Sequence, residues 1–175
     1  MKKSKIWSGS HRQFKNLKLA SWLSIVGAIG VLAAVMIAQY ILGYAPCKIC
    51  IWQRWPWLAV AIMGGVSLLL LRFNFLRLSK FLMGLIILSL LVGAGIALYH
   101  VGIEYHWWAG PVTCSGGGAA AAATDLESLR RALTAAPVVF CDQPAWQFYG
   151  LTMAGLNLLL SLALVLLIVL SLMVV

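Results

Sequence analysis

Four long apolar runs, separated by shorter polar segments, dominate the chain. They cover residues 19–43, 51–71, 81–101 and 151–175. Each run has about the 20 residues that a helix needs to cross a hydrocarbon core about 30 Å thick. None shows the period-two alternation of a membrane β-strand, which excludes a barrel. The pattern predicts an all-α membrane protein in which residues 1–175 form one domain, a four-transmembrane-helix bundle.

The amino-acid composition agrees with this class. Hydrophobic residues make up 63% of the chain and charged residues 10%. An average soluble domain has roughly 45–50% apolar and about 25% charged residues. A soluble globular domain is therefore excluded.

The charged residues divide between the two sides of the predicted bundle. Nine of the 13 basic residues lie in the N-terminal tail and in the link between the second and third runs: Lys2, Lys3, Lys5, Arg12, Lys15, Lys18, Arg72, Arg77 and Lys80. All four acids lie in the opposite segment, 102–150. By the positive-inside rule both termini are cytoplasmic, and the loops at 44–50 and 102–150 are external. The net charge of +9 thus reflects membrane topology, and we expect no nucleic-acid partner.

The long external loop carries the signals of one short helix. A Gly/Ala-rich stretch at 115–123 is typical of a flexible joint. Thr124 and Glu127 then match a capping box, and apolar residues at helical spacing follow as far as Pro137. We expect a short amphipathic helix that lies on the outer membrane surface.

Aromatic residues gather at the external ends of the predicted spans. They are Tyr40, Tyr44, Trp52, Trp55, Trp57, Tyr99, Tyr105, Trp107, Trp108, Trp146 and Tyr149. Tyrosine and tryptophan favour the membrane interface, so a thick interfacial belt explains them. An aromatic-lined site for a flat ligand explains them equally well, and the sequence leaves both interpretations open.

All four cysteines fall in the external loops, where an oxidising compartment permits disulfides. Cys47 and Cys50 form a C-x-x-C motif just before a predicted helix, and Lys48 lies between them. The first N–H groups of that helix and the lysine charge favour a thiolate. A disulfide closing so small a loop stabilises a fold by only about 2 kcal/mol, so a reactive pair is the better interpretation.

Other roles for the cysteines differ in how well the sequence supports them. Covalent haem needs a histidine directly after the second cysteine, where Ile51 stands, so it is excluded. Zinc needs a second close pair of ligands, which Cys114 and Cys141 do not form, so we expect no metal. For Cys114 and Cys141 themselves, a structural bridge and a bond meant to be opened both remain possible.

Three polar residues lie at or beside the external ends of the predicted spans. Arg54 follows Cys50 by four positions and shares its helix face, where a guanidinium can donate to a quinone carbonyl. Snorkelling of Arg54 to lipid headgroups is the alternative. His100 and Glu104 lie one turn apart at the external end of the third run, where they can serve proton transfer or simply mark the interface.

This constellation resembles the disulfide bond formation protein B (DsbB) family of bacterial inner membranes. The resemblance covers essentially the whole chain: four spans, the segment Cys50-Ile51-Trp52-Gln53-Arg54, the Pro111-Val112-Thr113-Cys114 segment and Cys141-Asp142. It implies a thiol:quinone oxidoreductase that reoxidises a periplasmic, thioredoxin-fold DsbA-like protein and reduces ubiquinone or menaquinone. The Gly/Ala-rich stretch and the very short C-terminus depart from the family pattern.

The resemblance also implies roles for individual residues. Cys47 and Cys50 match the quinone-linked pair, with Cys50 next to the quinone, and Cys114 and Cys141 match the pair that faces the soluble partner. Arg54 matches the quinone-contacting arginine. His100 matches a second quinone-site residue, although no compact motif fixes its position. The implied relay has the partner attack Cys114, the freed Cys141 attack Cys47, and the freed Cys50 donate to quinone.

Two other functions stay open at this point. A membrane oxidoreductase of the vitamin K epoxide reductase type shares four spans and a C-x-x-C motif, but normally carries that motif late in the bundle. A non-enzymatic assembly factor with structural disulfides needs neither the C-x-x-C motif nor Arg54.

Overall fold

The computed structural model describes residues 2–111, 125–127, 130 and 141–173, with side chains from residue 12 onward. The helices are α1 (Lys2–Tyr40), α2 (Lys48–Trp52), α3 (Arg54–Arg72), α4 (Leu76–Glu104) and α5 (Met153–Met173). A small antiparallel hairpin of β1 (Gln147–Phe148) and β2 (Leu151–Thr152) precedes α5.

The four predicted membrane spans are confirmed. Helices long and apolar enough to cross a bilayer cover Arg12–Tyr40, Lys48–Arg72, Leu76–Glu104 and Met153–Met173. Most of the large apolar side chains on these helices point outward; Val26 and Ile62, for example, are 64% and 59% exposed. In water such a surface would be costly, whereas in lipid it is the expected one.

The helices pack in a ring whose order is α1, α3, α4, α5. Each contacts the next, and α5 returns to α1. Small residues allow the close approach: a side chain at Gly64 of α3 would meet Ile25 of α1, and one at Gly93 of α4 would meet Pro56 of α3. This is the packing expected of membrane helices, where small residues replace the hydrophobic effect as the means of association.

A second packing device lies in the half of the bundle away from the cysteines. The buried hydroxyl groups of Ser21, Ser67 and Ser79 form a chain across α1, α3 and α4, with Oγ–Oγ distances of 2.9 and 2.8 Å. Hydrogen bonds between helices add specificity inside a bilayer, where unpaired hydroxyl groups are costly.

Two irregular backbone positions bring the C-x-x-C motif to the end of the bundle. Gly43 adopts a left-handed φ of +74°, which turns the chain back after α1. Pro56 has no N–H group to donate to the carbonyl of Trp52, and α2 ends at Trp52. Gln53 keeps helical angles, so α2 and α3 continue as one span.

The hairpin before α5 was not predicted from the sequence. Tyr149 and Gly150 form its turn, both with positive φ, as a two-residue hairpin turn requires. The predicted surface helix lies mostly outside the described residues. Of its positions, Leu126 is described and is 83% exposed.

Candidate redox site

The C-x-x-C motif begins a helix, and this geometry makes one of its sulfurs an acceptor. Cys47 has extended backbone angles and caps α2, because its Sγ accepts from the Cys50 N–H at 3.1 Å. The two sulfurs are hydrogen-bonded 2.6 Å apart and are not joined in a disulfide. Cys47 is buried, whereas the Lys48 side chain is exposed. The sulfur of Cys47 therefore contacts the N–H at the helix start and not the lysine.

His100 on α4 faces the same sulfur. Its Nε2 lies 3.5 Å from Cys47 Sγ, and the ring is 2% exposed. Glu104, one turn further on, places Oε1 3.8 Å from the same nitrogen. The Thr152 hydroxyl donates to the other carboxylate oxygen of Glu104 at 2.6 Å, so α4 and the hairpin hold this carboxylate together.

These contacts favour the Cys47 thiolate. The hydrogen bond with the Cys50 thiol, together with those from the His100 ring and the Cys50 N–H, lowers the pKa of Cys47 from 9.0 to about 5 and outweighs the opposing effect of burial. A thiolate at neutral pH is the reactive form in thiol–disulfide exchange. The structure thus assigns the thiolate character of the motif to its first cysteine.

We expect Cys47 to titrate far below an ordinary thiol. In a chain with Cys50, Cys114 and Cys141 replaced by serine, the ultraviolet absorbance of the Cys47 thiolate should persist down to about pH 5. Serine at position 50 keeps both a hydroxyl donor and the N–H, so the main contacts survive. The same thiol in denaturant should titrate near 9.0. A native midpoint close to the denatured one would contradict this assignment.

Cys141 packs against the motif from the other loop. It is 1% exposed and joins Cys47, Ile49 and Ile103 in one buried cluster. Its backbone also faces the His100 ring, and its sulfur is in a disulfide. Cys114 lies outside the described residues. Of the six residues predicted for the site, the structure therefore brings five to one end of the bundle.

Arg54 lies at the start of α3, partly buried. Its Nη1 donates to Gln39 Oε1 on α1 at 2.8 Å. Its Nε is buried and has no hydrogen-bond partner among the described residues. A buried donor without a partner costs about 1–3 kcal/mol, so a ligand carrying an acceptor would gain from binding here.

A cavity of about 810 Å³ joins these groups. Cys47, Cys50, Arg54, His100 and Glu104 line its polar end. From there it runs between α1 and α5 along small and aliphatic residues, which are Gly27, Gly30, Val31, Ala34, Ala38, Leu156, Leu160, Ala163, Leu164 and Leu167. The cavity therefore fits a ligand with a polar head and a long apolar tail.

The aromatic residues divide into exposed side chains and side chains that line the cavity. Trp52, Trp55 and Trp107 are 62%, 66% and 61% exposed. Tyr44, Trp57 and Trp146 line the cavity. The first group fits an interfacial belt and the second fits a ligand site, and both interpretations stay predictions.

Two polar residues of the site were not predicted from the sequence. Gln53 is 6% exposed and bonds to the His100 ring, and Gln39 holds Arg54. Neither belongs to a motif that signals chemistry. Their sequence positions offered one clue: each is an amide side chain within or beside an apolar run. A buried amide is costly unless it has a hydrogen-bond partner.

The fold brings together three side chains that could bind a metal ion, which the sequence did not predict. Ligand atoms of Cys47, Cys50 and His100 lie within 4.8 Å of one another. Two sulfurs and an imidazole suit a soft cation such as zinc. The third ligand comes from α4, far along the chain, so no sequence spacing could have revealed it.

Comparisons with known proteins agree with this architecture. The family model described as "Disulfide bond formation protein DsbB" matches residues 17–171, nearly the whole chain. An uncharacterized protein of Rickettsia prowazekii (strain Madrid E) is 26% identical over 147 residues, which cover 84% of this chain and 83% of the relative. No solved structure matches significantly.

Proposed function

The chain belongs to the DsbB family of disulfide bond formation proteins and is a membrane disulfide oxidoreductase, and from that premise we propose that it reoxidises a soluble DsbA-like dithiol protein at the expense of ubiquinone or menaquinone. One observation carries the proposal. The Cys47–Cys50 pair lies at the polar end of an apolar cavity, beside a buried arginine donor that lacks a partner.

The cavity fits a quinone in both chemistry and size. When bound, a quinone would accept two electrons and two protons. Arg54 Nε can donate to a ring carbonyl, and His100 lines the same end of the cavity. The groove between α1 and α5 suits an isoprenoid tail, since its lining is small and aliphatic. A cavity of about 810 Å³ lies within the range of ligand pockets, roughly 300–1,000 Å³.

The proposed relay moves one electron pair through two disulfides. The partner's thiolate attacks Cys114, and Cys141 leaves as a thiolate. Cys141 attacks Cys47, and Cys50 leaves. The partner's second thiolate then attacks the partner sulfur that is bonded to Cys114, and Cys114 leaves. The Cys114 thiolate attacks Cys141 and displaces Cys47. The partner is now oxidised, the Cys114–Cys141 bond is restored, and Cys47 and Cys50 hold the electron pair for the quinone.

Burial of Cys141 in the Cys47 cluster supports the middle step of this relay. Attack requires two sulfurs to approach along a defined line, and Cys141 packs in the same apolar cluster as Cys47. His100 and the Cys50 N–H stabilise the Cys47 thiolate that forms in the last step, when Cys114 displaces Cys47 from Cys141. The chain thus supplies a nearby nucleophile for the middle step and a stabilised leaving group for the last one.

We further propose a bacterial inner membrane location with both termini in the cytoplasm and the cysteines in the periplasm. The exposed basic residues Arg72, Arg77 and Lys80 lie where α3 turns into α4, at the end of the bundle away from the cysteines. Lys80 Nζ donates to Gln13 Oε1, so the start of the first span lies beside that turn. The positive-inside rule puts this end in the cytoplasm.

Two matched positions test the orientation. Phe148 and Phe75 are 61% and 59% exposed at opposite ends of the bundle. In a chain with its four cysteines replaced by serine, Phe148→Cys should react with a membrane-impermeant thiol reagent added to intact spheroplasts. Phe75→Cys should react only after the membrane is opened. The reverse labelling pattern would overturn the topology.

A purified system tests the activity itself. Reduced DsbA-like protein mixed with the detergent-solubilised chain should be oxidised only when quinone is added, with one quinone reduced for each disulfide formed. A Cys50→Ser chain should be inactive. Dithiol oxidation that proceeds equally without quinone, or no oxidation in its presence, would refute the proposed function. A non-enzymatic assembly factor would give the second outcome.

A further inference from the structure

A chain of hydrogen bonds connects Cys47 Sγ through His100 to α5 and back to α3. Trp57 Nε1 on α3 donates to Asn157 Oδ1 on α5 at 2.7 Å. Asn157 Nδ2 donates to Gln53 Oε1 at 2.8 Å, and Gln53 Nε2 lies 3.1 Å from His100 Nδ1. His100 Nε2 in turn lies 3.5 Å from Cys47 Sγ. We call Trp57, Asn157 and Gln53 the amide chain.

The first member sets the direction of the whole amide chain. An indole N–H is a donor and has no acceptor atom, so the atom of Asn157 that faces Trp57 must be the oxygen. The amide nitrogen of Asn157 then faces Gln53, which must present its oxygen. Turning either amide over would place two N–H groups against each other and leave a buried donor unpaired.

The donor–acceptor direction of the amide chain also fixes which nitrogen of the His100 ring accepts. With its oxygen engaged by Asn157, Gln53 presents N–H to His100 Nδ1, so Nδ1 must accept. A neutral imidazole that accepts at one nitrogen carries its hydrogen on the other. We propose that the amide chain holds neutral His100 as its Nε2–H tautomer, so that the ring donates to Cys47 Sγ.

The groups that face the ring from other elements agree with this tautomer. Glu104 places a carboxylate oxygen 3.8 Å from Nε2, on the side of the ring where the proposed N–H points. The thiolate of Cys47 lies on the same side, and the Cys141 backbone also contacts the ring. In an Nδ1–H tautomer, the Nε2 lone pair would instead point at Cys47 Sγ. The Nδ1–H group would then face an N–H group of Gln53, and neither could accept.

Within the proposed relay, Trp57, Asn157 and Gln53 are thus positioning residues toward Cys47, since they reach its sulfur only through His100; all three also line the cavity. The same tautomer also disfavours a metal at this site. A cation bound by Cys47, Cys50 and His100 would need the Nε2 lone pair, and Nε2 carries the hydrogen. The amide chain would have to reverse before such an ion could bind.

Nitrogen NMR of the histidine ring tests the assignment, because protonated and unprotonated ring nitrogens have well-separated ¹⁵N shifts. The full chain, reduced and free of quinone, is labelled with ¹⁵N-histidine, and the signals of His100 are identified by their loss in His100→Gln. At a pH where the ring is neutral, His100 should show a protonated Nε2 and an unprotonated Nδ1. A wild-type ring protonated at Nδ1 would overturn the proposal directly.

Two variants should change the ¹⁵N shifts of the His100 ring, and one matched variant should leave them unchanged. Gln53→Glu is isosteric but can only accept, so it should place a proton on Nδ1. Asn157→Leu leaves Gln53 free to turn over and should give signals of both tautomers. Ser161→Ala, one helical turn from Asn157, removes a buried hydroxyl without a partner among the described residues and should leave the spectrum unchanged.

The outcomes separate this inference from the proposed function. Unchanged ring signals in a folded Gln53→Glu chain would overturn the role of the amide chain, even if the protein oxidises its partner with quinone. The wild-type Nε2–H signature in a protein without quinone-dependent activity would refute the proposed function and leave the tautomer assignment standing.

Discussion

A Cys141→Ser chain should accumulate a mixed disulfide between Cys114 and the soluble DsbA-like partner, with complete loss of turnover. In this variant Cys114 is a free thiol, and its thiolate attacks the disulfide of the oxidised partner, which frees the partner's second thiol. Serine at position 141 cannot attack Cys114 to release the partner, so the adduct persists. A non-reducing gel of the variant, expressed together with the partner, should show most of the protein in a band of the summed mass.

The two cysteines should behave differently because their surroundings differ. Pro111 favours extended backbone before Cys114, and three glycines follow it at 116–118, so the sequence there suits a partner's binding groove. Cys141 is 1% exposed and packs beside Cys47. A soluble protein cannot reach a sulfur in that position.

Cys114→Ser is the matched control. It should trap little partner, since the remaining Cys141 is buried. A purely structural bridge between the two cysteines requires that neither variant trap a partner. Trapping through Cys141 would reverse the assignment of the two roles.

An Arg54→Ala chain should need roughly 10- to 100-fold more quinone for half-maximal rate, because a hydrogen bond to a charged donor contributes about 1.5–3 kcal/mol and each 1.4 kcal/mol is tenfold. The buried Nε of Arg54 has no partner among the described residues and lies at the cavity end that holds both sulfurs. Initial rates at varied quinone concentration measure the effect. Thermal unfolding of the same preparations separates it from loss of folding.

Graded variants distinguish hydrogen bonding from charge. Arg54→Lys should be intermediate, since lysine keeps the charge but lacks the planar donor fork. Gln39→Leu should raise the quinone requirement by less than Arg54→Ala, because it removes only the contact that holds the guanidinium. Arg72→Ala, at the other end of α3, removes one charge far from the cavity and should change nothing. An unaltered quinone requirement in Arg54→Ala would leave snorkelling as the role of Arg54.

The sequence by itself determined the fold class. Span length and continuous hydrophobicity are local properties, and a bilayer allows only a helix to satisfy the backbone of such runs, so the four spans follow directly. The ends were less accurate. The third run was predicted at 81–101, yet α4 covers Leu76–Glu104, because a helix continues past the apolar core as long as its backbone bonds can form.

The sequence also pointed to the chemistry, because a C-x-x-C motif and an arginine four positions later lie on one short segment. His100 and Glu104 could be named as a pair, since one helical turn separates them. The contact of His100 with Cys47 could not be predicted, because it depends on how α4 rotates against α2.

Only the tertiary structure decided which groups surround each sulfur. The pKa of Cys47 is lowered because the cap of α2, the His100 ring and the Cys50 thiol converge on its sulfur. The amide chain joins Gln53 to Asn157, which is 104 positions away. Such contacts depend on the rotation and depth of each helix in the bundle. Those two quantities follow from the packing of small residues such as Gly64 and Gly93 against neighbouring helices, which hydrophobicity along the chain does not record.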